Sequence, residues 1–429
     1  MRMKFVCAVS FVLAITFIAG AQSAIEPTPT PVKVVVTNSM PALKPNSTPA
    51  PRVTPTPIVV GATDTKSGPS VSTDSVPSSE SSAQTATGTV GALSFGQMKS
   101  KIAEAKRHLQ TRPLATALVE GTAPTDYVRV AFNDSRTNRI DYFVLSKESF
   151  LSIVSEKLVS SENGRQLRVR TIRGNGVNTP IIVTDETGAS QLPVMVQYPV
   201  VREGRYMETA YYMSTHPGLV TSEVVIAGRY YVRNVIEIAR DRLRERGIFI
   251  QPKLADIAER LATVEHVDHM RFRTEYHPNI FNDIFTLYAL NEGQTYRYSV
   301  SSAGAGGMVQ MIPSTYRMVR SWHPNLALMP DFVEGMRNHV NASEAMLLYM
   351  QRTWNDLIAS PTVANALLSG IASQEQLMAA GYNSNPARLA GYINRGGANW
   401  TGLIPRETKV YLQIYASIEK HVPMTPRTR

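Results

Sequence analysis

The chain has 429 residues and an excess of basic side chains, with 44 Lys and Arg against 34 Asp and Glu and a formal net charge of +10. This balance suits nucleic acid, an anionic membrane or an anionic wall polymer. Because the basic residues are spread along the chain, charge alone does not choose among these partners. The single cysteine, Cys7, lies in an apolar N-terminal run that we expect to be removed on export, which excludes disulfides, cysteine nucleophiles and thiolate metal sites from the mature chain. The length predicts about two folded domains.

The first 21 residues have the pattern of a secretory signal peptide. Residues 1–4 are basic at two positions, residues 5–18 are apolar and residues 19–21 are small. The apolar run is short for a transmembrane helix, so we expect a cleaved signal and an exported protein of the periplasm or cell envelope, with no stable membrane span after cleavage. An uncleaved anchor is the alternative.

Residues 22–92 form a predicted disordered linker. They are rich in Pro, Ser, Thr and Val and include the strings PTPTP and PAPRVTPTP, which favour extended polyproline conformations. A segment with so few aromatic residues does not bury enough surface to fold, so we interpret it as a spacer.

Residues 93–218 are predicted to form a small α+β or mostly β domain. Apolar positions within 93–109 indicate a helix, and a polar turn at 133–138 between two strand-like runs indicates a hairpin. The runs that indicate strands are 127–132, 140–145, 167–172, 181–183 and 193–201. We find no candidate chemistry in this region, and its role is open.

The pattern turns helical after Pro217 and remains so to the end, which predicts a mainly α C-terminal domain over 219–429. The predicted helices are 221–246, 254–264, 280–290 and 345–358, with a last one beginning near Pro405. The string NASE at residues 341–344 predicts a capped start for the fourth of them.

Residues 301–316, SSAGAGGMVQMIPSTY, have an unusual composition within this helical part. Small residues at 303–307 precede an apolar run that contains one amide, Gln310, before Pro313. Small residues let a backbone approach a neighbour or a ligand closely, and the amide offers both a donor and an acceptor. No Lys-Ser or Lys-Thr pair follows the glycines, which argues against a phosphate-binding loop.

This stretch resembles the signature of the lytic transglycosylases, whose catalytic domains have a lysozyme-like fold. That family carries a Ser, then Gly-Ala, then Gly-Leu-Met-Gln and Met-Pro-x-Thr. The matching positions here are Ser301, Gly304, Ala305, residues 307–310 and residues 312–315. Met308, Val309 and Ile312 depart from the pattern, each with one apolar residue in place of another.

Two further blocks follow in the family's order. AAGYNSNP at residues 379–386 resembles its Ala-Tyr-Asn-Ala-Gly-Pro segment, and Glu407, Thr408 and Tyr411 resemble its closing Glu-Thr-x-x-Tyr. The resemblance covers roughly residues 250–420. It implies a lysozyme-like C-terminal domain that cleaves the MurNAc-GlcNAc β-1,4 bond of peptidoglycan without a cofactor and leaves 1,6-anhydromuramic ends.

The implied reaction needs one glutamic acid that is neutral near pH 7, because the same group first donates a proton to the leaving oxygen and then accepts one from the muramic C6 hydroxyl. Two glutamates compete for this role. Glu292 lies at the family's usual short interval before Ser301, but its setting, NEGQ, is polar and leaves a carboxyl hydrated. Glu265 lies at the edge of an apolar helical face in LATVEHV and resembles the family's Val-Glu-Ser, with His266 for Ser. We prefer Glu265, since desolvation is the property that the acid requires.

A catalytic Glu265 requires an extra helical segment, residues 270–298, before the Gly-rich stretch. The B-type membrane-bound lytic transglycosylases show a similar arrangement. The resemblance further implies a substrate-binding set, which holds the sugar through hydrogen bonds and ring contact and consists of Ser301, Met308, Gln310, Tyr382 and Asn383.

Three other hypotheses stay open. His266, Asp268 and His269 could ligate a metal beside Glu265, although neither an HExxH nor an HxHxDH pattern is present, and we expect no metal. The second is a glycan-binding or scaffold protein of the same fold without activity, and the third is a hydrolytic lysozyme, which adds water. We expect the partner to be the peptidoglycan glycan strand and not nucleic acid, while protein partners stay unknown.

Overall fold

The computed structural model describes residues 93–213 and 216–428. The predicted signal peptide over 1–21 and the predicted linker over 22–92 lie outside the described residues. Within the described residues an antiparallel sheet region comes first and a mainly helical region follows, in the order that the sequence predicts.

Helix α1 (Phe95–Thr111) precedes the sheet and packs against it. A capping box begins the helix: Ser94 Oγ accepts a hydrogen bond from the Gln97 N–H, and the Gln97 side chain accepts one from the Ser94 N–H. Its apolar face, which includes Met98, Ile102 and Leu109, is buried. The helix predicted over 93–109 is therefore confirmed.

The strands of the sheet are β1 (Tyr127–Asn133), β2 (Ile140–Ser146), β3 (Lys157–Ser160), β4 (Gln166–Thr171), β5 (Ile181–Asp185), β6 (Ser190–Arg202) and β7 (Arg205–Tyr212). A short helix, α2 (Lys147–Leu151), separates β2 from β3. The antiparallel order is β2-β1-β6-β5-β4-β3, with β7 paired to the long strand β6, and the predicted hairpin is confirmed as β1 and β2. The Glu162 N–H donates to the Tyr142 carbonyl at 2.8 Å, so the chain after β3 returns to β2 and the sheet nearly closes into a barrel.

Apolar side chains fill the inside of the sheet. The buried members of this cluster are Val128, Val130, Phe132, Phe143, Leu145, Phe150, Leu167, Val169, Ile181, Val183 and Val196. A second cluster joins α1 and the other face of the sheet to Ala289 and Leu290 of the helical region. The sheet and the helical region therefore share part of their hydrophobic core.

The helices of the second region are α3 (Ser222–Glu245), α4 (Pro252–Val264), α5 (His269–Thr274), α6 (His277–Asn291), α7 (Pro313–Trp322), α8 (Phe332–Arg337), α9 (His339–Ile358), α10 (Pro361–Leu368), α11 (Gln374–Asn383), α12 (Leu389–Gly396) and α13 (Arg406–His421). The helices predicted over 221–246, 254–264 and 280–290 are confirmed as α3, α4 and α6. Among the described residues, no helix combines the length and the apolar character needed to cross a membrane.

The capped helix start predicted at residues 341–344 is wrong. Helix α9 begins at His339, and its N-cap is Asn338, whose side chain accepts from the Asn341 N–H at 3.0 Å. Asn341 is a buried residue of the first helical turn, and its Nδ2 donates to Tyr316 Oη at 2.8 Å. A tertiary hydrogen bond thus occupies the side chain that the sequence pattern assigned to a cap.

Two features of the helical packing bear on the site. Helices α3 and α6 cross in backbone contact at Gly228, where a Cβ atom would lie 1.8 Å from the Phe285 carbonyl oxygen, so glycine alone fits. Helix α4 packs against α3, α6, α9, α11 and α13. Residues at the end of α4 are therefore surrounded by several helices.

Candidate functional site

Glu265 is the C-cap residue of α4. Its N–H donates to the Leu261 carbonyl at 3.0 Å, and the last turn before it is buried through Leu261, Thr263 and Val264. The apolar face of α4 holds this helix end inside the protein, while Glu265 itself keeps partial contact with solvent. The residue is therefore both surrounded by protein and open to a ligand.

The Glu265 carboxyl has one phenol as its closest partner. Tyr411 Oη, from α13, donates to Glu265 Oε1 at 2.6 Å. Burial raises the pKa of Glu265 to about 8; the Tyr411 hydrogen bond acts in the opposite direction, and the nearby Glu407 carboxylate adds to the rise. A group with this pKa is mostly protonated at pH 7.

A second phenol, that of Tyr382 on α11, lies at the same place. Tyr382 Oη donates to the Val309 carbonyl at 2.7 Å, which ties α11 to the Gly-rich stretch. Burial, and after it the Glu265 charge, hold the pKa of both Tyr382 and Tyr411 well above the usual value for a phenol. The Glu265 charge acts on both rings, and Tyr382 bonds to the Gly-rich stretch. The acid, the two phenols and this stretch therefore lie in one region of the fold.

The Gly-rich stretch folds into a tight double turn. Antiparallel bridges join Val300 to Gly306 and Gly306 to Met311. Ser301 Oγ accepts from the Ala305 N–H at 3.0 Å, so this hydroxyl closes the turn. The turn uses glycine at Gly304 and Gly307, which both have positive φ.

Gln310 has a backbone conformation that is uncommon for a residue with a side chain. Its φ is +47°, and its Nε2 donates to the Gly307 carbonyl at 2.8 Å and to Ser299 Oγ at 3.3 Å. Non-glycine residues with positive φ persist where the surroundings hold them, and they cluster at functional sites. Both Gln310 donor contacts are made within the loop, and the Oε1 atom is the acceptor that the residue can offer a ligand.

His266, next to Glu265, fixes the same loop from the other side. Its Nε2 lies 2.9 Å from the Met308 carbonyl, and because a carbonyl only accepts, Nε2 carries the hydrogen. The ring stacks on Tyr296 with centroids 3.3 Å apart. Burial lowers the pKa of His266 to about 3, so the ring is neutral at physiological pH.

Two residues of the metal hypothesis, His266 and Asp268, have other roles in the structure. Asp268 caps α5, where its Oδ1 accepts from the Met270 N–H at 2.8 Å and from the Arg271 N–H at 3.1 Å. His266 is engaged with the loop. In the part of the chain that the structure describes, no group of three or more His, Cys, Asp or Glu side chains is arranged to hold a metal ion.

Glu292 has the opposite environment to Glu265. It is exposed at the end of α6, has φ +47°, and forms an ion pair with Lys99 of α1. Glu292 thus lacks the surrounding helices and the phenol contact that Glu265 has. The structure therefore brings Glu265, and not Glu292, together with the two phenols and the loop.

The other members of the predicted substrate-binding set differ in how they are placed. The Met308 side chain is fully buried in the hydrophobic core, so this residue contributes to the site through its carbonyl. Asn383 is the last residue of α11 and is half-buried. Sequence analysis did not assign Tyr411 to the site, although it stands in the third block of the resemblance. No periodicity in the sequence indicates that its hydroxyl reaches Glu265.

Comparison of the chain with protein-family models, with curated proteins and with solved structures gave no match. The residues of the site are therefore the basis for assigning a function. They comprise a carboxyl with a raised pKa at a helix end, one phenol bonded to it, a second phenol bonded to the Gly-rich stretch, and that stretch itself.

Proposed function

We propose that this protein is a peptidoglycan lytic transglycosylase, with a lysozyme-like helical region and Glu265 as its single general acid and base. The observation that carries the proposal is the position of Glu265 at the buried end of α4, where it stays partly exposed, accepts a hydrogen bond from Tyr411 at 2.6 Å, and has its pKa raised to about 8 by burial. An acid with this pKa is largely protonated at neutral pH and can still lose its proton in the reaction.

In the first step Glu265 donates its proton to the glycosidic oxygen between MurNAc C1 and GlcNAc C4. The C1–O bond breaks, the GlcNAc leaves with a C4 hydroxyl, and positive charge develops at C1 and the ring oxygen. The carboxylate that remains stabilises this charge, and the Tyr411 hydroxyl, 2.6 Å from Oε1, stabilises the carboxylate.

In the second step the muramic C6 oxygen attacks C1, and its proton passes to Glu265. The new C6–O–C1 bond is the 1,6-anhydro ring, and the enzyme regains the protonated carboxyl with which it began. No water enters the product, so no second carboxylate is needed to activate one. In the structure the hydrogen-bond partner of Glu265 is the Tyr411 phenol, and the Glu407 carboxylate acts on Glu265 through its charge.

Substrate is held by the groups around this acid. We assign the N-acetyl groups and ring hydroxyls to Gln310 and Asn383, and one sugar face to Tyr382. Ser301 supports the loop from within the turn. The substrate is the peptidoglycan strand, and the N-terminal pattern of residues 1–21 suits export to the periplasm or cell envelope.

The test is digestion of purified peptidoglycan by the mature chain, followed by mass spectrometry of the soluble fragments. We expect 1,6-anhydromuramic ends. We also expect Glu265→Gln to lower the rate by at least about a hundredfold, because the amide has no acidic proton to give. The matched control is Glu292→Gln, which removes an exposed carboxylate and should keep the wild-type rate.

Each other outcome identifies a different function. Reducing ends mean a hydrolytic lysozyme, and binding without cleavage means a scaffold of the same fold. Full activity in Glu265→Gln together with an inactive Glu292→Gln contradicts the assignment of the acid. Inhibition by a chelator supports the metal hypothesis.

A further inference from the structure

Three aromatic side chains on separate helices form a row that begins at the candidate site. Tyr382 of α11 meets Tyr349 of α9 edge-on with ring centroids 5.9 Å apart, and Tyr349 lies parallel to Trp322 of α7 with centroids 6.5 Å apart. The guanidinium of Arg352 lies over the Trp322 ring, 5.7 Å from its centroid. We call Tyr382, Tyr349 and Trp322 the aromatic row.

One end of the aromatic row is fixed at the acid. The Tyr382 hydroxyl bonds to the Val309 carbonyl at 2.7 Å, and the Glu265 charge acts on that phenol. The other end is Trp322, the last residue of α7. The aromatic row therefore leads from the neighbourhood of Glu265 to the end of α7.

The three rings are half-buried, so each shows part of its surface to solvent. The chain has three tryptophans, and the other two, Trp354 and Trp400, are buried at 7% and 1% exposure. Arg352 is more open, with 58% of its side chain exposed, and it pairs with Asp356 at 3.3 Å. The row thus ends at an accessible tryptophan beside an accessible cation.

We propose that the aromatic row binds the glycan strand on one side of the scissile bond, one or two sugar units away from Glu265. This inference deepens the proposed function and rests on it for the identity of the strand. A β-1,4-linked N-acetylhexosamine has apolar C–H faces and polar edges. Half-buried aromatic rings offer a matching apolar face. Arg352 offers a positive charge to the carboxylates that peptidoglycan carries on its peptide stems.

The experiment uses the full mature chain carrying Glu265→Gln, so that ligand is bound and not cleaved. It is titrated with the β-1,4-linked dimer and hexamer of N-acetylglucosamine while tryptophan fluorescence is recorded. Because Trp354 and Trp400 are buried, a change in emission and in quenching by iodide reports on Trp322. Isothermal calorimetry gives the same dissociation constants without a fluorescent reporter.

We expect the hexamer to shift the emission and to protect Trp322 from iodide. Adding Trp322→Ala should weaken hexamer binding by about threefold to tenfold, as loss of one ring contact predicts, and have a smaller effect on the dimer, which covers fewer sugar positions. Trp354→Phe is the matched control, since it changes a buried tryptophan on α9 and should leave both ligands unaffected.

Arg352→Ala removes an exposed cation and keeps the Trp322 ring itself, so it tests the charge apart from the ring. We expect it to weaken binding of peptide-bearing muropeptides about threefold, in a salt-dependent way, and to leave the uncharged hexamer unchanged.

Two results overturn the inference: a folded Trp322→Ala variant that binds the hexamer as tightly as its parent does, or iodide quenching that ligand does not alter. Either result leaves the proposed function standing if the wild-type chain still releases anhydro ends. Conversely, hexamer binding at Trp322 in a chain that never cleaves peptidoglycan overturns the proposed function and retains the aromatic row as a glycan site.

Discussion

Glu265 holds its proton at neutral pH because of where α4 ends. The carboxyl is surrounded by protein at the C-terminus of a buried helix, and its one close hydrogen-bond partner is neutral. Tyr411 donates to Oε1 and so favours the charged form, but burial outweighs this bond and raises the pKa to about 8. The same phenol that limits the rise in pKa is the group that would stabilise the carboxylate in the proposed reaction.

The buried carboxyl makes the stability of the wild-type protein depend on pH. Its pKa is about 8 when folded against an ordinary 4.5, so between these values the folded chain holds a proton that the unfolded chain releases. The contribution of this group to stability is complete below pH 4.5 and is lost as pH rises through 8. We expect Glu265→Gln to gain about 1 to 3 kcal/mol of unfolding free energy over the wild type between about pH 5 and pH 9, less than full burial allows because Glu265 is partly exposed.

Urea unfolding at a series of pH values measures this difference. Glu120→Gln, which removes an exposed glutamate far from any helix interior, serves as the control for the loss of one negative charge. A difference between Glu265→Gln and the wild type that does not change with pH shows that Glu265 titrates as an ordinary carboxyl.

Tyr411→Phe removes one hydroxyl and tests the partner of the acid. We expect kcat to fall about tenfold to a hundredfold, because a hydrogen bond to a charged group contributes about 1.5 to 3 kcal/mol. The alkaline limb of kcat/KM should move to higher pH, since the bond favours the carboxylate. The measurement is the pH profile of anhydro-product release.

The matched control is Tyr415→Phe, one turn further along α13, where the tyrosine is as buried as Tyr411, at 3% exposure each. Equal profiles for the two variants show that Tyr411 acts through packing alone.

At the scale of the element, the Gly-rich loop is shaped by two different constraints on its glycines. Gly304 and Gly307 both have positive φ, at +78° and +68°. Around Gly304 there is room for a methyl group, with Pro313 Cδ as the nearest atom at 3.8 Å. At Gly307 a Cβ atom would lie 2.2 Å from the Met336 carbonyl oxygen, so this position also brings the loop against the end of α8.

We expect Gly304→Ala to lower the free energy of unfolding by about 1 kcal/mol, which is the strain of an alanine at positive φ alone. Gly307→Ala should lower the free energy of unfolding by about 3 kcal/mol or more. The strain at positive φ is then added to a clash with the Met336 backbone, which no side-chain movement can relieve. Urea unfolding of the pair measures both costs, and product release measures their effect on the site. Equal losses contradict the close approach of the loop to Met336.

At the scale of the whole molecule, the C-terminal tail joins helices that belong to the site. Arg427 is 9% exposed, and its Nη1 lies 2.8 Å from Asp256 Oδ1 and 2.7 Å from Glu259 Oε2, both on α4; it also contacts Glu237 of α3. Burial raises the pKa of Glu259, and the Arg427 charge acts against this. One guanidinium therefore neutralises several carboxylates along the helix that ends at Glu265.

Arg427→Ala removes this cation from Asp256, while Glu259 keeps Arg233 and Glu237 keeps Arg240 as ion-pair partners. We expect it to lower the unfolding free energy by about 3 to 5 kcal/mol, the loss typical of breaking a buried ion pair by removing one partner. Thermal and urea unfolding measure it. The control is Arg406→Ala at the exposed start of α13, which should change stability by about 0.5 kcal/mol or less. If the two variants lose the same amount, the tail does not stabilise α4.

Much of the fold follows from the sequence at the scale of single elements. Periodic apolar residues predict α3, α4, α6 and the hairpin of β1 and β2, because a helix or strand must bury one face and its sequence shows which. The Gly-rich stretch and the apolar setting of Glu265 are also visible in the sequence. They were enough to prefer this glutamate over Glu292.

Only the tertiary structure determines which groups from distant segments contact these buried faces. Tyr411 is 146 positions from Glu265, and Tyr382 is 73 positions from Val309, so no local pattern records either hydrogen bond. Asn341 shows the same limit, since a sequence that suits a helix cap serves a tertiary contact instead. Local periodicity reports that a side chain is buried, whereas the pKa of a carboxyl depends on which groups from distant segments replace the water around it.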